Sequence, residues 1–122
     1  MVSKTTYKGG ATRSSDVEPY RYDLVPPEGI RAAAMAMAEG AKNHGENNWK
    51  KGMSMSVIMN HAMYHITPHM VGDRSEDHLG HAIANLCMAV WTFECNKEYD
   101  DIKYGSEKQK QDIDLGKMEM EI

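Results

Sequence analysis

The chain has 122 residues, enough for one domain with its own core but too few for two. Fourteen basic residues against eighteen acidic ones give a formal charge of −4, with no long basic run, which argues against a groove for duplex DNA or RNA. The opening residues lack the apolar stretch of a signal peptide and no apolar run approaches the ~20 residues of a membrane helix, so a cytoplasmic protein is expected.

Residues 1–20 are rich in Gly, Ser, Thr and charge and read as a flexible arm. A helical domain is expected over 21–105. In Arg21-Tyr22-Asp23-Leu24-Val25-Pro26-Pro27 the chain is extended, and Pro27 suits the first position of a helix running to about His44. Ile30, Ala33, Ala34, Met37, Ala38 and Ala41 recur at helical spacing and form its predicted buried stripe. Gly45 ends the helix, and a loop follows from Glu46 to Met53.

The second helix begins at Ser54 or Ser56, buries Ile58, Ala62 and Ile66, and stops or kinks at Pro68. Ser75 is the expected cap of the third helix, with Glu76 and Asp77 in its positive first turn. Leu79, Ile83, Leu86, Val90 and Phe93 give that helix the cleanest apolar periodicity in the chain, as far as about Cys95. The stretch 106–122 reads as a polar tail whose Ile113, Leu115, Met118 and Met120 suit packing on a neighbouring subunit. No strand is predicted, and the fold class is all-α.

Cys87 and Cys95 stand about 12 Å apart along one helix at roughly 1.5 Å per residue, beyond disulfide reach, which favours a reducing compartment. Eleven methionines and one phenylalanine describe a soft helical core. The same residues would also suit a Met-rich docking face, and a non-enzymatic protein-binding module is the alternative reading.

Glu39 to Lys50 gathers carboxylates, lysines, a histidine, two adjacent asparagines and Trp49, the inventory of a nucleotide site. Carboxylates hold hard cations, lysines meet phosphate, and Asn beside Trp can hydrogen-bond and stack on a base. Asp77, His81 and Asn85 are spaced by four on the third helix, a face able to hold a divalent cation. Glu39 facing Asp77 would bring together two carboxylates that repel unless a cation lies between them. His61, His65 and His69 are also spaced by four, which admits zinc, but Ala62 stands where a metalloprotease helix has Glu. Of the three, His65 is expected to face the bundle interior.

Three segments taken together are familiar: Arg21 to Pro27, Gly40-Ala41-Lys42-Asn43-His44-Gly45 with Asn48-Trp49, and His78-Leu79-Gly80-His81 with Asn85. They resemble a phage and bacterial family described as the N-terminal domain of dATP/dGTP diphosphohydrolases. That family is related to the MazG-like all-α nucleotide pyrophosphatases and includes MazZ-type phage enzymes. The resemblance spans roughly residues 20–95. It implies a helical bundle of the all-α NTP pyrophosphatase type, assembled as a homodimer or homotetramer, with Mg2+ or Mn2+ as cofactor. It also implies cleavage of a deoxypurine triphosphate (dGTP, with dATP or GTP as further candidates) to monophosphate and pyrophosphate. In a phage that replaces adenine with 2-aminoadenine, the role implied is supply of dGMP.

Carried onto this chain, the resemblance makes Glu39, Asp77 and His81 the expected catalytic residues. Glu39, Glu46, Asp77 and His81 are the expected metal ligands, with Asp73 and Glu76 as alternatives. Lys42, Lys50 and Lys51 would meet the phosphates, and Asn48, Trp49, His65 and Asn85 would hold the nucleoside. MazG-like enzymes carry paired helical carboxylates three residues apart; here Lys42 stands where the partner of Glu39 belongs.

Overall fold

The computed structural model describes residues 3–14 and 19–102. The predicted tail at 106–122 lies outside them.

Where no strand was expected, β1 (Lys4–Thr6) and β2 (Thr12–Ser14) pair antiparallel with Thr5 opposite Arg13. Gly10, at φ 92°, closes the turn, and the Tyr7 N–H donates to the Ala11 carbonyl at 2.7 Å. A 3-10 turn at Tyr22–Leu24 then leads into the proline pair.

The three helices are α1 (Pro27–His44), α2 (Met55–Met70) and α3 (His78–Cys95). The start of α1 follows from Pro27 at its first turn, and its end from Gly45 at φ 93°, whose N–H donates to the Ala41 carbonyl at 2.8 Å. α3 is the central element and packs on both α1 and α2. Met55, Ile58 and Ala89 form the apolar cluster between α2 and α3, with Met53 and Met88 against it.

α1 is rotated relative to the predicted stripe. Ala36 is buried and Ala32, Ala33, Met37, Gly40 and Ala41 are half-buried, whereas Ile30, Ala34 and Ala38 are exposed. The cause is a close approach of α1 and α3 at Gly80. A Cβ there would run into the Asp77 carboxylate and come within 2.9 Å of the Ala32 carbonyl oxygen. Small residues set that contact, and the bulkier Ile30 turns away from it.

α2 keeps its predicted buried residues Ile58 and Ala62, with Ile66 half-buried. Ser54 holds the N-cap position without a side-chain bond. Asp101 fills that role from beyond α3: the Ser56 N–H donates to its Oδ1 at 2.8 Å and the Ser56 hydroxyl donates to Oδ2. A carboxylate at this helix end also meets the positive pole of the backbone dipoles. Pro68 does not stop α2. It sits in the last turn, where its missing N–H removes one bond and its own carbonyl accepts from Val71 and Asp73.

α3 begins later than predicted. Asp77 rather than Ser75 is the N-cap, accepting from the Gly80 N–H at 3.1 Å, while the Ser75 N–H is taken by Asp73 Oδ1 at 2.8 Å. The predicted apolar stripe of α3 is not its buried face. Ile83 is half-buried, but Leu79, Leu86, Val90 and Phe93 are 40–59% exposed, and the residues turned inward are His78, Gly80, Ala82, Ala84, Asn85, Ala89 and Thr92. Among the described residues no helix is long and apolar enough to cross a membrane.

Candidate functional site

α1, α2, α3 and the 45–53 loop enclose an open cleft of about 890 Å3. The loop is shaped by three residues with positive φ, Gly45, Asn47 and Gly52. At Gly52, φ 114°, the Tyr99 ring occupies the place of a Cβ, so any other residue would strain the backbone and displace that ring. Between these turns lies a short 3-10 segment, Asn48–Lys51. It seats Trp49 edge-on against Trp91 on α3, ring centres 5.0 Å apart, an arrangement that contributes about 0.5–1.5 kcal/mol beyond area burial. Lys50 lays its ammonium over the Trp49 ring at 5.4 Å from the centroid.

Six of the predicted site residues line this cleft: Glu39, Glu46, Asn48, Trp49, His81 and Asn85. His81 Nε2 lies 3.3 Å from Glu39 Oε2, joining α3 to α1 across the cleft wall. Asn85, 8% exposed, donates from its amide to the His81 carbonyl at 2.8 Å and so fixes its own orientation. Apolar parts of the wall come from Met37, Met53, Ile58 and Met88, so acids and imidazoles are set among soft hydrophobic side chains.

Lys42, Lys50, Lys51, His65 and Asp77 do not line the cleft. Asp77, expected to face Glu39 across a cation, has its carboxylate at the start of α3, where it accepts from the Gly80 N–H. The partner of Glu39 is His81 instead. The three lysines are exposed at the cleft's end of the molecule, on the last turn of α1 and in the 3-10 segment.

Behind the cleft is a cluster that helical spacing did not predict. His65 and His78 are each 4% exposed, and their Nδ1 atoms stand 3.0 Å apart. Glu76 Oε1 lies 3.2 Å from His65 Nδ1 and 3.7 Å from His78 Nδ1. Among the described residues, this is the one set of three His, Cys, Asp or Glu whose ligand atoms all lie within 4.8 Å of one another. Glu39, Glu46, Asp77 and His81 do not gather in that way.

His65 connects the cluster to the cleft. Its Nε2 is 3.3 Å from His61 Nε2, and its ring stacks on that of His81 at 4.9 Å and 19°. Burial, reinforced by His61 and His81 and opposed by Glu76, pushes the His65 imidazole below its ordinary pKa. Asp73 is held at about 2, first by the Ser75 backbone N–H, then by the Ser75 side chain and His78. Its Oδ2 lies 3.3 Å from His78 Nε2, but the two are not aligned, and that buried nitrogen has no hydrogen bond.

His61, weighed from the sequence only as a zinc ligand beside His65, and Trp91, not singled out at all, also belong to this region. Trp91 carried no sequence signal, since its role depends on where the 45–52 loop folds back. His61 did carry one, the four-residue spacing to His65. The cluster pairs His65, inside α2, with Glu76 and His78 two residues apart, a spacing that marks no helical face.

The geometry defines a mainly helical, all-α-class protein with a ligand-sized cleft walled by acids, imidazoles and an aromatic platform. Over residues 9–102, which include all three helices and the whole cleft wall, the chain matches the family described as dATP/dGTP diphosphohydrolase, N-terminal. The chain belongs to that family. Neither the curated proteins nor the solved structures contain a match.

Proposed function

We propose that this chain hydrolyses deoxypurine triphosphates, dGTP foremost with dATP or GTP as further substrates, to monophosphate and pyrophosphate. The observation that supports this most is the cleft itself. In a chain of the dATP/dGTP diphosphohydrolase family, one cavity is lined by Glu39 and His81 on one wall and by Asn48 and Trp49 on another.

Mg2+ or Mn2+ fits this donor set. Hard cations take oxygen ligands and commonly rest on one or two carboxylates plus the substrate's phosphates, so Glu39 or Glu46 on the cleft wall would hold such an ion together with the phosphates, without a cage made wholly of protein. When bound, such an ion lowers the pKa of water and offsets charge on the phosphates. The Glu39–His81 pair orients the attacking water and takes up its proton. Water oxygen bonds to the α-phosphorus, the bridge from the α- to the β-phosphate breaks, and pyrophosphate departs. Trp49 supplies a face for the purine, Asn48 hydrogen bonds to its edge, and Lys42, Lys50 and Lys51 attract the phosphates. Asp77 acts as a positioning residue: by capping α3 it sets the helix from which His81 projects. In a phage that replaces adenine with 2-aminoadenine, the dGMP formed would feed synthesis of that nucleotide.

The same reading includes a homo-oligomer. Leu79, Ile83, Leu86, Val90 and Phe93 follow one another at alternating intervals of four and three, the seam that one helix buries against another. A second copy of α3 across a two-fold axis matches it residue for residue.

The test is to incubate the protein with each common nucleoside triphosphate and Mg2+ or Mn2+ and to identify products by chromatography. Monophosphate plus pyrophosphate from dGTP is expected. Diphosphate plus phosphate, nucleoside plus triphosphate, or no turnover would overturn the reading.

A further inference from the structure

We propose that His65, Glu76 and His78 form a binding site for a transition-metal ion of the zinc class, separate from the cleft. Two lone-pair nitrogens and a carboxylate oxygen converge on one small space and repel one another unless a proton or a cation lies between them. Their mutual separations are 3.0, 3.2 and 3.7 Å. In a tetrahedral site with ligands ~2.0–2.1 Å from the metal, neighbouring ligand atoms are about 3.3 Å apart, in the middle of that range. Two imidazoles and one carboxylate are ligands that zinc takes, with a fourth position left for water, whereas Mg2+ and Ca2+ prefer oxygen alone.

The surroundings support the same conclusion independently. A histidine bound to metal through one nitrogen characteristically turns the other toward a carboxylate. His78, with Nδ1 in the cluster, turns its buried and unbonded Nε2 toward Asp73 Oδ2 at 3.3 Å. His65, with Nδ1 in the cluster, has its Nε2 3.3 Å from His61 Nε2, an imidazole rather than a carboxylate, so the pattern rests on His78. Glu76 has a side chain 48% exposed and gives the ion a route in from solvent.

Such an ion ties together α2 through His65, the connecting loop through Glu76, and the first residue of α3 through His78. It fixes the His65 ring on which His81 stacks, and so steadies the wall of the cleft without entering it. The site stands or falls independently of any hydrolytic activity.

The experiment is metal analysis of the full-length protein purified with zinc and dialysed, followed by replacement of zinc with Co2+. Expected are close to one zinc per chain, not displaced by excess Mg2+, and the visible absorption of tetrahedral Co2+. Glu76→Gln and His78→Ala should each weaken zinc binding at least about tenfold, and Asp73→Asn by about 10–100-fold, with helicity checked by circular dichroism. Should His78→Ala fail to fold, Glu76→Gln on the exposed loop decides. Absence of zinc and of the cobalt spectrum in the unaltered protein would overturn the proposal. So would unchanged zinc affinity in a variant that keeps its helices.

Discussion

The two faces of α3 reverse the usual arrangement of a small helical protein. The inner face buries His78, Asn85 and Thr92 among alanines, and the facing α2 adds His65. The outer face leaves Leu79, Leu86, Val90 and Phe93 substantially in water. Burying imidazoles and an amide costs free energy unless each finds a partner, and exposing a continuous apolar seam forgoes the main driving force of folding. A fold that does both is the one expected if its interior serves chemistry and its exterior meets another helix, as proposed above. Thr92 is the plain member of the inner set, since its hydroxyl merely donates to the Met88 carbonyl at 2.9 Å. The histidines and Asn85 instead reach toward the cleft and the His65–Glu76–His78 cluster.

That contrast can be broken at either face. The largest effect is expected inside: His81→Ala or Glu39→Gln should lower kcat for dGTP by about 10²–10⁴-fold, the range for loss of a positioned acid–base group, with little change in helicity. A rate near that of the unaltered protein would remove the inner face from the chemistry. A smaller and different effect is expected outside. The double substitution Val90→Glu and Phe93→Glu should convert the oligomer to monomer in light scattering, because four like charges would then meet across the two-fold seam. An unaltered mass would remove the outer face of α3 from any assembly.

The helices were legible because their signals are local. Pro27 and Gly45 give both ends of α1, and the spacing of Ile58 and Ala62 gives the buried face of α2. The buried face of α3 was not legible, because periodicity finds the apolar stripe without telling whether it meets the chain's own core or another subunit. The rotation of α1 was hidden for a related reason: a contact through Gly80 and Ala32 favours smallness, and hydrophobicity does not record it. Asp101 capping α2 and Trp91 supporting Trp49 are contacts between distant parts of the chain, beyond the reach of spacing rules.

The site divided in the same way. Glu39, Glu46, Asn48, Trp49, His81 and Asn85 were chosen for their chemistry and do line one cleft. Asp77 was chosen for its spacing to His81, but a carboxylate one residue before a helix is drawn to the free backbone N–H groups, and the cap prevails. Glu76 was named as an alternative ligand, but its grouping with His78 and His65 could be recognised only once the α2–α3 turn brought the three together.

The most direct measurement of the central claim is hydrolysis of dGTP by the full-length protein in 18O-labelled water, followed by mass spectrometry of both products. Attack on the α-phosphorus predicts one 18O atom in dGMP and none in pyrophosphate. Label found in pyrophosphate, or no cleavage with either Mg2+ or Mn2+ present, would contradict the account.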